Sequence, residues 1–146
     1  MRVLGIDPSL RATGWIVVER DRALAWGVIR TKGELGESLL KIKEETVRVV
    51  RQFSPDRAVM EAIIYHRNPK VAIVLGAVRG VLLLTLHELG VDVEEIPPSR
   101  LKLASTRYGQ ASKRQVAYIL RNLYDLREDV PDHITDALAA AHYILK

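Results

Sequence analysis

Asp7 follows the apolar run Val3-Leu4-Gly5-Ile6, and Glu61 follows Ala58-Val59-Met60. An acid at the end of a buried strand is costly unless something cationic neutralises it. Within four residues beyond Asp7 the chain offers only Arg11, so a metal ion is a candidate neutraliser. A third piece comes late in the chain. His133 and Asp136 share one helical face, and so do Asp132 and Asp136, which leaves the pairing open. Carboxylates converging on one point suit Mg²⁺, which takes hard oxygen ligands and keeps positions for water and phosphate. Two such ions about 3.5–4 Å apart activate a water and stabilise the leaving oxygen of a phosphodiester. Imidazole suits Mn²⁺ better than Mg²⁺, so His133 is open to three roles: ligand, proton shuttle or neighbour. Each acid also has a plain structural reading. Asp before Pro forms turns, and a strand-end Glu often pairs with arginine.

Basic residues are segregated. Arg100, Lys102, Arg107, Lys113, Arg114 and Arg121 lie between Pro97 and Tyr124 with no acid among them. Such a block suits a phosphate-rich ligand, although basic helix faces are also commonly just solvated. After Glu61 comes Ile63-Ile64-Tyr65-His66-Arg67-Asn68-Pro69. There Tyr65 is placed to stack on an unpaired base, with Arg67 on phosphate, or else to pack under its own loop.

These residues need elements to hold them. Residues 2–6, 14–19, 24–30, 56–62 and 91–96 read as strands, the second and third joined as a hairpin through Arg20-Asp21-Arg22. Residues 36–53 and 70–89 read as helices, Gly90 capping the second. Pro131 suits the first turn of a last helix ending near Leu145. Strands first, then alternating helix and strand, predict a mixed α/β sheet: an antiparallel opening followed by parallel crossovers. Right-handed crossovers would set strand 56–62 beside the first strand, bringing Asp7 and Glu61 to one edge.

With 146 residues, 48% hydrophobic and 27% charged, the chain is expected to be one domain over 1–146 with a real core. It has no cysteine, which excludes disulfides, Cys-based zinc, iron–sulfur clusters and a thiol nucleophile. A net charge of +4 favours an anionic partner. Met1 leads directly into a strand without a basic leader, and no charge-free apolar stretch spans a membrane, so a cytoplasmic address with no membrane partner is expected. The apolar helix 70–89 carries Gly76, Ala77 and Gly80 and suits a homodimer contact or a central core position.

The sequence resembles the RuvC-type Holliday junction resolvases of the ribonuclease-H-like superfamily. The resemblance rests on Gly5-Ile6-Asp7-Pro8 with Thr13-Gly14, and on Met60-Glu61. It continues through Leu75-Gly76 and Arg79-Gly80, Arg100-Leu101-Lys102, Gly109 with Ala111-Ser112-Lys113 and Gln115-Val116, and His133 with Asp136-Ala137-Leu138-Ala139. It spans nearly the whole chain in order. It implies a five-stranded ribonuclease-H-like fold flanked by helices. It also implies Asp7, Glu61, His133 and Asp136 as catalytic, metal-holding positions, with Lys102 and Lys113 near the scissile phosphate. Ile64, Tyr65, Arg67, Arg100 and Arg114 join those lysines as expected DNA contacts. The family works as a homodimer with two Mg²⁺ or Mn²⁺ ions per site. It nicks opposed strands of four-way junctions to leave 5′-phosphate and 3′-hydroxyl ends, in DNA recombination and repair. A branch-migration complex is a candidate partner. Many members carry Phe where this chain has Ile64, and the aromatic follows at Tyr65, which bears on sequence preference and fits a divergent, even viral, nuclease with broader branched-DNA specificity. Two other classes compete: a catalytically silent nucleic-acid-binding module of the same fold, and a kinase-like nucleotide-binding domain. The latter would need a second phosphate loop that the sequence does not show.

Overall fold

A computed structural model describes residues 1–63, 67–100, 112–127 and 129–145, apart from the side chain of Lys113. Five strands form one mixed sheet: β1 (Arg2–Asp7), β2 (Ala12–Glu19), β3 (Arg22–Arg30), β4 (Arg57–Glu61) and β5 (Asp92–Ile96). Their spatial order is β3-β2-β1-β4-β5. The first three pair antiparallel, whereas β4 pairs parallel with both β1 and β5. The expected α/β architecture is therefore observed, including the adjacency of β1 and β4. The hairpin turn is tighter than the sequence predicts. Arg22 belongs to β3, and Arg20 takes a left-handed φ of 57° in the two-residue connection. A register irregularity at Val17/Val18 absorbs the extra residue on β3.

Helices α1 (Leu35–Phe53) and α2 (Pro69–Glu88) cover one face of the sheet. In α1 the buried residues Ser38, Ile42, Thr46, Val49 and Val50 recur at helical spacing, so one stripe faces the core. In α2 apolar residues surround the helix, yet only Val78, Leu82, Thr85 and Leu86 are buried. By length and composition α2 is apolar enough to cross a membrane, but it packs on α1 and β5, and Arg79 at its middle forks onto Glu95 of β5 at 2.5 and 2.7 Å. Gly90, with φ 73°, follows its end as predicted.

The other face carries α3 (Lys113–Leu123) and α4 (Asp132–Leu145). A capping box starts α3: the Ser112 hydroxyl accepts the Gln115 amide, and the Gln115 side chain accepts the Ser112 amide. Val116, Leu120 and Tyr124, four apart, turn into the core. Pro131 stands just ahead of α4 rather than in its first turn, and its carbonyl accepts the Ile134 amide at 2.9 Å.

Candidate active site

The alternation of side chains along a strand decides where the acids face. Leu4 and Ile6 of β1 and Ala58 and Met60 of β4 pack toward α1 and α2, whereas Val3 and Val59 pack toward α4. Asp7 and Glu61 follow the aligned pair Ile6 and Met60, so both carboxylates leave the sheet on the α4 side at one edge. That is the carboxyl end of parallel strands, the usual place for a site in such sheets.

Two glycines let α4 reach this edge. A Cβ on Gly14 would lie 2.5 Å from the His133 carbonyl oxygen and 2.7 Å from the His133 Cβ. A Cβ on Gly5 would run into the Ala137 carbonyl oxygen and meet the Ala141 Cβ at 3.0 Å. Backbone therefore rests on backbone, and the alanine-rich face of α4 lies directly on β1 and β2. The result is a contact between residues distant in the chain: His133 Nδ1 lies 3.4 Å from Asp7 Oδ2. Their side chains are 40% and 22% exposed, so the pair is shielded yet open to a substrate. The N-terminus of α4, the positive end of its dipole, sits at the same place and favours the negative charge of Asp7. Asp136 is half-buried on the turn after His133.

The structure separates the alternatives left open at the last helix. The side chain of Asp132 is 85% exposed and meets Arg121 at 3.5 Å, away from Asp7, whereas His133 faces it. Arg121 also donates to the Val130 carbonyl at 3.0 Å. One member of the basic block thus holds the chain entering α4. Arg11 likewise does not serve as the simple counter-charge that its position suggests. Its guanidinium donates to Ser38 Oγ and to the Gly33 carbonyl, both at 2.9 Å, and ties segment 31–33 to the turn after β1.

The remaining expected contacts distribute as follows. Arg67 is exposed, just before Asn68, which caps α2 by accepting the Lys70 and Val71 amides. Arg100 is exposed on the helical turn after β5, and Arg114 is exposed in the first turn of α3. Ile64, Tyr65 and Lys102 lie outside the described residues, as does the side chain of Lys113. Sequence reading missed the roles of Gly5 and Gly14 in seating α4. The signal was present, because a lone glycine inside a strand pattern marks a close backbone approach.

Carboxylates and one imidazole are hard and borderline donors that fit Mg²⁺ or Mn²⁺. Among the described residues no three such groups are gathered tightly enough to hold one ion; Asp7 and His133 are in contact. Carboxylates drawn together repel, and a divalent cation is what offsets that repulsion.

Residues 3–143 match the family model described as crossover junction endodeoxyribonuclease RuvC. The RuvC proteins of Akkermansia muciniphila and Thermotoga petrophila are each 37% identical to this chain. The first alignment covers 95% of this chain and 87% of the relative, the second 97% and 90%. Among solved structures, Thermus thermophilus RuvC in complex with a Holliday junction substrate superimposes with a TM-score of 0.93 at 30% identity, covering 98% of this chain and 92% of that one. The yeast mitochondrial Holliday junction resolvase Ydc2 shares the fold at a TM-score of 0.69 and 12% identity, covering 99% of this chain and 78% of that one. Strand-end acids, a helix seated on glycines beside them and a match along almost the whole length agree: this chain belongs to the RuvC family of crossover junction endodeoxyribonucleases, a family of metal-dependent nucleases.

Proposed function

We propose that this RuvC-family endonuclease, acting as one domain over 1–146, resolves four-way DNA junctions by paired symmetric nicks, leaving 5′-phosphate and 3′-hydroxyl ends. The carrying observation is the approach of His133 on α4 to Asp7 on β1, with Glu61 leaving the neighbouring strand on the same face. Asp7, Glu61, Asp136 and His133 are the residues that would hold metal. Mg²⁺ or Mn²⁺, two ions per site, supplies when bound an activated water and charge stabilisation at the leaving oxygen. The Asp7 carboxylate orients the His133 ring and favours a proton on Nδ1, which leaves Nε2 to take a metal or to carry a proton. Lys102 and Lys113 offset charge on the scissile phosphate. Arg67, Arg100 and Arg114, exposed near the carboxyl ends of the parallel strands or on α3, take flanking phosphates, and Ile64 and Tyr65 meet bases at the crossover.

The chain works as a homodimer through α2. Ile73 is 73% exposed and Leu84 58%, and Gly76 and Gly80 lie between them on the same outward stripe. A Cβ on either glycine would meet nothing within 4 Å, which leaves room for a second helix to approach closely. Two protomers would present two sites to two strands of a junction. Cytoplasmic action on DNA, with a branch-migration complex as a further partner, completes the reading.

The test is nicking of labelled four-way, three-way and linear DNA across a Mg²⁺ and Mn²⁺ titration. Asp7→Asn is expected to lose more than about a hundredfold in nicking while still binding the four-way junction. Full activity in that variant removes the mechanism, and binding without any cut by the wild type leaves a silent binding module. Sedimentation of Leu84→Glu is expected to show a monomer, and an unshifted dimer overturns the α2 contact.

A further inference from the structure

The two edges of the sheet differ in charge. At the β5 edge, charges are matched: Arg57 pairs with Glu94 at 3.0 Å, and Arg79 with Glu95. At the β3 edge they are not. Among the described residues, Arg30 and Lys32 are exposed and pair with no carboxylate. Neither belongs to the basic block between Pro97 and Tyr124, and the function proposed above leaves both unused.

Their position is specific. Asp7 is registered with Gly14, Gly14 with Val28, and Ala12 with Arg30. Alternation therefore puts Arg30 on the same face of the sheet as Asp7, at the same edge, two strands away. The helix α4 that covers this face lies mainly on β1 and β2 and touches β3 little, so the face is open beside Arg30. Lys32 is carried there by a braced segment. The Thr31 amide donates to the Arg11 carbonyl at 3.3 Å, the Thr31 hydroxyl to the Leu10 carbonyl, and Arg11 holds Gly33. Two strand spacings of ~5 Å and two residues of ~3.4 Å put the Arg30 backbone roughly 12 Å from Asp7. Successive phosphates of one strand lie about twice the ~3.4 Å axial rise apart, so this span covers about two nucleotides.

We propose that Arg30 and Lys32 form a phosphate-binding strip that holds the backbone of a junction arm about two nucleotides from the cut, on the β3 side of the site. This rests on the junction-cutting reading above. The strip reads backbone charge and no sequence, so it sets the direction in which the arm leaves the site. Toward β5, Arg57 and Arg79 are already engaged by Glu94 and Glu95, which leaves Arg100 beyond the strand end for phosphate on that side.

The test is the salt dependence of binding to a four-way junction, with Ca²⁺ in place of Mg²⁺. Each phosphate contact contributes about 0.9 to the slope of log K against log salt. Arg30→Ala combined with Lys32→Ala is expected to lower that slope by about two per protomer and to weaken binding about tenfold at low salt, with the gap closing as salt rises. Arg30→Lys should keep the slope. Arg22→Ala, an exposed arginine at the opposite end of the same strand, should leave it unchanged. Methylphosphonates at the second and third nucleotides on both sides of the cut should weaken the wild type and not the double variant. Wild-type junction binding with an unaltered slope in the double variant overturns the strip alone, as does an equal loss from Arg22→Ala. A wild type with no junction affinity overturns the junction reading as well.

Discussion

The two faces of the sheet are packed by different means. Toward α1 and α2, large side chains interdigitate: Leu4, Ile6, Trp15, Met60, Ile42, Leu82 and Leu86 are all buried there. Toward α4, glycine meets alanine, and Gly5 and Gly14 touch the helix backbone itself. Side-chain packing spreads its energy over many contacts and relaxes when one is trimmed. Backbone contact has no flexible end to give way, so it fixes position more tightly than it adds stability. The first face holds the fold together, and the second sets where His133 and Asp136 stand relative to Asp7.

That contrast can be broken. The largest loss of stability is expected on the large-residue face. Leu82→Ala leaves a cavity beside α1 and costs about 2–5 kcal/mol by denaturant titration, while the folded fraction still nicks junctions at the parental rate. Equal losses of stability and of turnover per folded molecule would erase the distinction. Gly5→Ala should behave oppositely. Overpacking against Ala137 costs about 1–3 kcal/mol, but displacing α4 removes most of the nicking by folded protein. A Gly5→Ala variant with parental activity would show that α4 is not held by that contact.

Smaller effects sharpen the comparison within the α4 face. Arg121→Gln removes the charge-assisted bond to the Val130 carbonyl and the link to Asp132. A cost of about 1–2 kcal/mol is expected. Weaker metal binding, read as a raised Mn²⁺ concentration for half-maximal nicking, should accompany it if the entry to α4 positions His133; a purely structural role would leave that midpoint in place. The smallest effect concerns Tyr124, whose hydroxyl lies 2.9 Å from His142 Nδ1 and joins α3 to α4. Burial, and secondarily the charge of Asp21, push its phenol up to about 12. The raised value favours the neutral phenol in the folded protein. Its stabilising share is complete below the ordinary value near 10 and is lost as pH rises through about 12. Wild-type stability should fall more steeply than that of Tyr124→Phe across this window, and parallel curves would contradict the burial.

Much of this was legible in the residues. Apolar runs ended by Asp7-Pro8 and Ser54-Pro55 marked β1 and α1 to within a residue or two, and the crossover rule placed β4 beside β1. The basic block was legible as composition but not as roles, since Arg121 proves to hold a carbonyl rather than face solvent.

The amino-acid order alone determined the succession of strands and helices and put acids at two strand ends, because periodicity and turn chemistry are local. Tertiary structure decided that His133, and not its neighbour Asp132, meets Asp7. Helical spacings of three and four are equivalent along the chain, and only the seating of α4 on Gly5 and Gly14 sets its rotation. It likewise decided that Arg11 braces a loop while Arg30, two strands from Asp7, stays open to solvent. Distance in sequence carries no record of which strands become neighbours across a sheet.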